Sequence, residues 1–277
     1  MNPAAAPLVS ICIPTYKGEA FLAKTLDSVL AQSYPNFELW VLDDQSPDQT
    51  QDMVARYADS RLHYLRNELN LGPQGNWNKC LELARGKYFK LLPHDDLLAP
   101  DCLRDQVAVL EVDTEERTAL VFGLREIMNE KGETIMRRGL PGAKAGPISS
   151  SALVRKCVRA GTNLIGEPGN GLFRSDLIRR VGTYDATYAY LVDADYWFRL
   201  LLHGEAHYTA SHSSSFRLSK GSWSVAIGNR QFGDFKGFVE KFAAEPTFAV
   251  TAGDKRIGFA RARFNMWARA MVYRLIA

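Results

Sequence analysis

The chain has 277 residues, a 46% hydrophobic share and a formal net charge of +3. That is enough apolar material for one large core, and too little charge to single out nucleic acid as a partner while Lys and Arg stay dispersed until the C-terminal end. Residues 1–7 lack a signal-peptide pattern, no stretch is long enough to span a membrane, and Cys12, Cys80, Cys102 and Cys157 lack zinc or redox spacing, so reduced thiols and a cytoplasmic protein are expected.

Leu8-Val9-Ser10-Ile11-Cys12-Ile13 is a β-branched apolar run closed by Pro14, the pattern of a buried strand. Thr15 to Glu19 reads as a strand-to-helix loop. Phe21, Leu22, Leu26, Val29 and Leu30 then recur at helical spacing until Ser33-Tyr34-Pro35-Asn36 breaks the pattern. Glu38 to Leu42 is the next strand and ends on Asp43 and Asp44. Asp48 to Tyr57 predicts a helix capped by Asp48, and Leu62 to Leu65 a short strand. This strand-helix rhythm predicts a parallel sheet with right-handed crossovers.

A helix is expected to begin near Asn76-Trp77-Asn78 and end at Gly86, delivering the chain to a strand from Tyr88. That apolar run stops abruptly at Pro93-His94-Asp95-Asp96. Two strands of one sheet thus deliver paired carboxylates at their C-terminal ends, where open α/β sheets place ligands. Adjacent anions repel unless a cation lies near, and Mg²⁺ or Mn²⁺ would meet that need at Asp95 and Asp96. The plainer alternative is that one of them caps a helix spanning Pro100 to Glu111.

Further on, Ala119 to Phe122 reads as a strand, and Glu130-Lys131-Gly132-Glu133 as a hairpin tip between Ile127-Met128 and Ile135-Met136. Arg137 to Pro147 is loop-like. It is the boundary that divides the chain into a nucleotide-sugar half (1–136), an acceptor and catalytic-base half (137–230) and a C-terminal helical extension (231–277), within one continuous fold. The glycine-rich loop from Asn163 to Gly171 is either a connector or, through Glu167, part of a sugar site. Asp193 and Asp195 open a helix, where the helix dipole alone would favour them. The segment from Lys255 to Ala277 carries Arg256, Arg261, Arg263, Arg269 and Arg274 among aromatic and aliphatic residues. It fits a membrane-surface helix attracted to anionic lipid, or a helix packed on the enzyme or on a second subunit of a homo-oligomer.

The order of these motifs resembles the inverting sugar-nucleotide glycosyltransferases of family 2, which have the GT-A fold. The resembling pieces are Val9 to Tyr16, Phe37 to Ser46, Gly75 to Tyr88, Pro93-His94-Asp95-Asp96, Asp193 to Trp197 and Arg217 to Ser224. The resemblance implies an α/β fold with a mostly parallel, Rossmann-like central sheet flanked by helices. It further implies that Pro14, Thr15 and Tyr16 hold the nucleotide base, that Asp44 accepts a hydrogen bond from it, and that Asp43 and Ser46 shape the same turn. Asn76 and Asn78 match the segment approaching the nucleotide. Asp96 matches the direct metal ligand, and Asp95 the group nearer the ribose or the metal waters. Asp193 matches the catalytic base, and Arg217 matches a basic residue of the segment folding over the diphosphate; Glu167 is placed at the acceptor by its loop and not by the resemblance. The chain departs from the family pattern at Pro93 and Val192, where Asp and Glu are usual, and at Ser219 in place of His.

The implied reaction transfers a sugar from a nucleoside-diphosphate donor, UDP being commonest in the family, to a hydroxyl of a glycan or lipid-linked acceptor. A divalent cation offsets charge on the leaving phosphates, and a carboxylate takes the acceptor proton as direct displacement inverts the anomeric centre. Among rival readings, a nucleotidyltransferase would want a glycine-rich basic first loop, which Pro14 to Glu19 is not. A catalytically silent module of the same fold would have no use for both strand-end Asp pairs and Asp193.

Overall fold

The computed structural model describes residues 8–219 and 230–276, with side-chain surroundings through 269. The first half runs β1 (Val9–Thr15), α1 (Leu22–Leu30), β2 (Phe37–Asp43), α2 (Thr50–Val54), β3 (Leu62–Arg66), α3 (Gly72–Glu82), β4 (Tyr88–Leu91), β5 (Leu97–Leu98), α4 (Cys102–Val112) and β6 (Thr118–Met128). The second runs β7 (Thr134–Arg138), β8 (Gly146–Ile148), α5 (Ser150–Ala160), β9 (Gly171–Arg174), α6 (Leu177–Val181), α7 (Val192–Leu200), β10 (Glu205–Arg217), α8 (Gln231–Ala243) and α9 (Ala252–Ile276).

One sheet has the order β3-β2-β1-β4-β9-β6-β10-β5, with β7 added to β6 and β8 to β10. β1 pairs in parallel with β2 and β4, and every residue of β1 is buried, which is why it reads as a continuous apolar run and not as an alternating one. The parallel character holds across β3-β2-β1-β4. Beyond β4 the sheet is mixed, because β9 pairs antiparallel with both β4 and β6, while β10 returns parallel to β6. The chain leaves β1 in one direction to β2 and returns on its other side as β4. The crevice of such a switch point lies beyond the strands' C-terminal ends, from which Thr15, Asp43-Asp44 and Pro93-Asp96 emerge.

The 136/137 division falls inside β7, and β9 is inserted between two strands of the first half, so both halves share one sheet. The C-terminal helices belong to the same body. Phe238 and Phe242 of α8 pack on Phe198 of α7 with ring centroids 4.8 and 5.2 Å apart, and each ring so buried contributes about 1.5–3 kcal/mol. α9 lies close on α5 through glycines: a Cβ on Gly161, whose φ is +66°, would meet Ala262 N at 2.4 Å, and one on Gly258 would meet Val158 O at 2.2 Å. Beside that contact, buried Asp254 accepts hydrogen bonds from Arg155 (2.8 Å) and Arg159 (3.0 Å).

Several boundaries differ from the sequence reading. α4 begins after Asp101, so neither Asp95 nor Asp96 caps it. α2 is shorter than Asp48 to Tyr57, with Asp48 accepting from Thr50 N at 3.2 Å. α3 starts at Gly72, where Pro73 suits the first turn. β6 extends past Phe122 through Gly123, whose Cβ would collide with Ser213 Oγ at 2.1 Å where β10 is irregular in register. The four cysteines are buried and unpaired. Among the described residues, no helix is long and apolar enough to cross a membrane.

Candidate active site

Asp44 follows β2, and its amide donates to Thr15 O at 2.8 Å, tying two strand ends together. Its side chain is buried, with Oδ1 accepting from Asn67 Nδ2 and Leu71 N, both at 2.8 Å. Asn67 also donates to Asn76 Oδ1 at 3.0 Å and accepts from Lys79 Nζ at 2.8 Å, while Asn76 donates to Leu42 O at 3.1 Å. Asp44 Oδ2 makes no hydrogen bond among the described residues. Asp43 accepts from Ser46 N at 2.9 Å and from the Tyr64 hydroxyl, which fixes the turn from below. Tyr16 presents a ring that is 43% exposed at the rim, with Lys17 Nζ 5.3 Å from its centre.

Asn78 is placed differently from Asn76. Its Oδ1 accepts from Tyr184 N at 2.7 Å and its Nδ2 donates to Tyr184 O at 3.3 Å, so it joins α3 to the loop before α7. Both ends of the amide are engaged by backbone.

Past β4, Asp96 is buried and its Oδ1 accepts from Arg217 N at 2.9 Å. Burial, and then the neighbouring Asp95 carboxylate, push the Asp96 pKa well above the ordinary range, with Glu167 adding to the repulsion. Arg217 is fully buried, and its guanidinium donates to the backbone oxygens of Asp95 (2.9 Å), Asn129 (3.1 Å) and Glu130 (3.0 Å). It therefore staples the Asp95-Asp96 turn to the β6-β7 hairpin. The rest of that motif, 220–224, lies outside the described residues.

At the far side, Asp193 sits at the start of α7, its Oδ2 accepting from Asn163 Nδ2 at 3.0 Å and its Oδ1 from Ala194 N at 2.7 Å. Enclosure by protein, with the Glu167 charge second, pushes the Asp193 pKa up to about 7. That is a carboxyl poised near neutrality, as general bases are. Asp195 differs: it is 1% exposed and bound to Arg199 (2.7 Å) and Lys241 (2.5 Å), a structural ion pair.

Glu167 stands 2.7 Å from Arg125 Nε, and Arg125 also donates to Asn163 O and Leu164 O, both at 3.2 Å. The loop carrying Glu167 rests on a fully buried lysine: Lys90 Nζ donates to Gly169 O at 3.0 Å and Gly171 O at 2.7 Å. Asn170, also fully buried, donates to Gly123 O and Ile165 O. The Glu167 charge thus acts on both Asp96 and Asp193. Sequence reading did not single out Asn67, Arg125, Asn163 or Lys90 as working residues. Lys90 carried a usable signal, since a lone cation inside a wholly apolar strand needs buried partners.

Residues 10–182 match the family model described as Glycosyl transferase family 2. The chain belongs to glycosyltransferase family 2. Protein MT1568 of Mycobacterium tuberculosis, uncharacterized, is 34% identical over 212 residues, covering 73% of this chain and 64% of that protein. The UDP-Glc:alpha-D-GlcNAc-diphosphoundecaprenol beta-1,3-glucosyltransferase WfgD of Escherichia coli is 35% identical over 122 residues, 44% of this chain and 47% of that one. S. aureus TarS 1-349, in complex with UDP-GlcNAc, shares the GT-A fold with a TM-score of 0.67 at 20% identity, over 93% of this chain and 72% of that chain. The family 2 chain spans 37–64% of the length of the first curated relatives.

Proposed function

We propose that this chain transfers a sugar from a UDP-linked donor to a hydroxyl of a glycan or lipid-linked acceptor, with inversion and with the help of a divalent cation. The observation that carries the reading is that Asp44 and the Asp95-Asp96 pair follow the C-terminal ends of parallel strands of one sheet, with the Glu167 charge acting on both Asp96 and the near-neutral carboxyl of Asp193. Likeness to WfgD, named for a UDP-sugar and a lipid-diphosphate acceptor, supports the substrate classes.

The residues present fit Mn²⁺ or Mg²⁺. Asp96 Oδ2 makes no hydrogen bond among the described residues, and Asp95 and Glu167 add negative charge beside it. Among the described residues no group of three His, Cys, Asp or Glu side chains could hold a metal alone. One or two carboxylates, with the remaining positions left to substrate phosphates and water, is how Mg²⁺ is usually bound. In this reading Asp96 would hold the cation directly and Asp95 through its outer surroundings, and the bound ion would supply positive charge for the departing diphosphate.

In the mechanism, Tyr16 stacks on the base, Asp44 accepts its N–H, and the Asn67-Asn76 pair holds Asp44 in position. Asp193, oriented by Asn163, takes the acceptor proton as the hydroxyl attacks, and Glu167 sits beside it to orient the acceptor. Turnover of UDP-sugars to UDP, measured with and without Mn²⁺ and with glycan or lipid-linked acceptors, tests the reading. No UDP release under any of these conditions would overturn it. We also propose that the chain works on the cytoplasmic side of a membrane, held peripherally through the outward face of α9.

A further inference from the structure

β6 and β7 place Arg125 and Arg138 directly opposite each other as cross-strand partners. Like charges in that position destabilise the pairing, and a bound anion would offset the repulsion. Glu167 pairs with Arg125 at 2.7 Å, and its single charge also acts on Arg138. Arg138 forms no ion pair among the described residues, and its side-chain hydrogen bond there is to Met136 Sδ at 3.4 Å. A third guanidinium adds to the excess: Arg269 of α9 donates to Tyr190 Oη (3.0 Å), Gln231 Oε1 (2.9 Å) and Thr162 Oγ1 (2.8 Å), all neutral groups. Burial, and then the charges of Arg125 and Arg269, hold the Arg138 pKa below the ordinary arginine value.

The location gives the excess a meaning. Thr162 adjoins Asn163, which orients Asp193, and Tyr190 precedes Asp193 by three residues. Arg125 itself donates to Asn163 O. Arg138 and Arg269 therefore border the segments that carry Asn163 and Asp193, while the donor diphosphate is assigned to Asp95 and Asp96 at the end of β4. We propose that Arg138, backed by Arg269, forms an anion subsite that takes the phosphate or diphosphate ester of the acceptor. The inference rests on the function proposed above and narrows its acceptor to a phosphorylated one. Guanidinium suits the task, because its planar fork matches phosphate oxygens in pairs.

The test is a calorimetric titration of inorganic pyrophosphate into the full chain, without added metal, in the absence of UDP and again with UDP saturating. Wild type should bind pyrophosphate under both conditions. Arg138→Gln should weaken it at least about tenfold, and Arg138→Lys by less. Thermal unfolding serves as the folding control: Arg138 makes no ion pair among the described residues and its removal relieves repulsion from Arg125 and Arg269 while losing the more distant attraction of Glu167, so Arg138→Gln should remain folded at the assay temperature. If the Gln variant does not fold, Arg138→Lys takes its place and must still show a clear loss of affinity. Equal affinity of wild type and variant, or no binding by wild type, would overturn the subsite. Displacement of pyrophosphate by UDP would assign the anion to the donor and overturn the acceptor reading. A chain that binds no UDP yet loses pyrophosphate through Arg138→Gln would sink the proposed donor and leave the anion subsite standing.

Discussion

Asn163 Nδ2 lies 3.0 Å from Asp193 Oδ2, and the same side chain's Oδ1 accepts from Ile165 N (3.0 Å) and Gly166 N (3.1 Å). One amide thus fixes both the carboxylate at the start of α7 and the loop that ends in Glu167. Asp193→Asn keeps that shape and removes the basicity. It should lower turnover by about 10²–10⁴-fold with UDP-sugar affinity nearly unchanged. Asp195→Asn should instead cost stability through the Arg199 and Lys241 pairs. The reverse pattern in paired kinetic and unfolding measurements would misplace the base by two residues.

The same carboxyl sets a pH dependence. Asp193 holds its proton up to about pH 7, so kcat/KM should rise through that region as the base ionises. For stability the sign is opposite. A carboxyl whose folded pKa is raised favours the fold when protonated, and that contribution declines between the unfolded value near ~4 and about 7. Asp193→Asn should flatten both profiles there. A rising limb unchanged in position in the residual activity of the variant would exclude Asp193 as its source.

Asp96 pairs a functional demand with a structural cost. Its carboxylate is buried beside Asp95 and Glu167, and a group whose pKa is raised by burial and repulsion destabilises the ligand-free fold once ionised. Asp96→Asn can still accept from Arg217 N. It should raise the unfolding midpoint of the ligand-free protein at neutral pH while abolishing metal-dependent turnover. Retained metal dependence at wild-type rate would remove Asp96 from the metal site.

Asp44→Ala removes an acceptor held in place by Asn67 and Leu71. Loss of a charged hydrogen-bond partner costs about 1.5–3 kcal/mol, or roughly 10- to 150-fold in UDP affinity. Asn67→Ala should show a smaller loss, because it loosens Asp44 without deleting it. Calorimetry giving wild-type affinity for Asp44→Ala would rule out the base contact.

Asp254 clamps α9 to α5. Burial alone would raise its pKa, but hydrogen bonds from Arg155, Thr251 and Arg159 outweigh that and hold it well below the ordinary range. The stabilisation is complete above the unfolded value near ~4 and is lost as pH falls below it. Asp254→Asn should destabilise the protein by about 1–3 kcal/mol at neutral pH, less in acid, by denaturant unfolding. An equal midpoint at pH 7 would show the clamp to be dispensable.

The strand ends were legible in the sequence because buried parallel strands write themselves as apolar runs, and Asp43-Asp44 and Asp95-Asp96 stand out where those runs stop. β10 was not, since its Thr209 to Ser215 stretch is polar and pairs through an irregular register that no periodicity marks. α5 was hidden for a related reason: its apolar face is only Leu153, Val154, Cys157 and Val158, and its need for α9 is a tertiary fact. Arg217 and Asn78 carried motif identity but gave no sign of their backbone partners. Whether a donor faces a phosphate or a backbone oxygen depends on the hairpin and loop brought up to it, which lie about 90 and 106 residues away in sequence.

The outward face of α9 carries the last prediction. Arg256, Ala260, Arg263, Phe264 and Trp267 recur at helical spacing and are exposed, whereas Gly258, Ala262, Asn265 and Arg269 face α5 and its following turn. Phe264 and Trp267 are 64% and 60% exposed with ring centroids 6.2 Å apart, and no acidic residue follows Asp254. Because the other face is docked on α5, truncation before α9 would test folding and not membrane binding. Surface substitutions are the right probe. Arg256→Gln with Arg263→Gln should cost about 1 kcal/mol each in partitioning onto anionic vesicles, together roughly 30-fold, and Phe264→Ser with Trp267→Ser should weaken binding at every salt concentration. Co-sedimentation with anionic and neutral vesicles at low and high salt reads both effects. Vesicle binding that none of the four substitutions changes would leave α9 a packing helix, and self-association lost through the same substitutions would assign its outward face to a second copy of the chain.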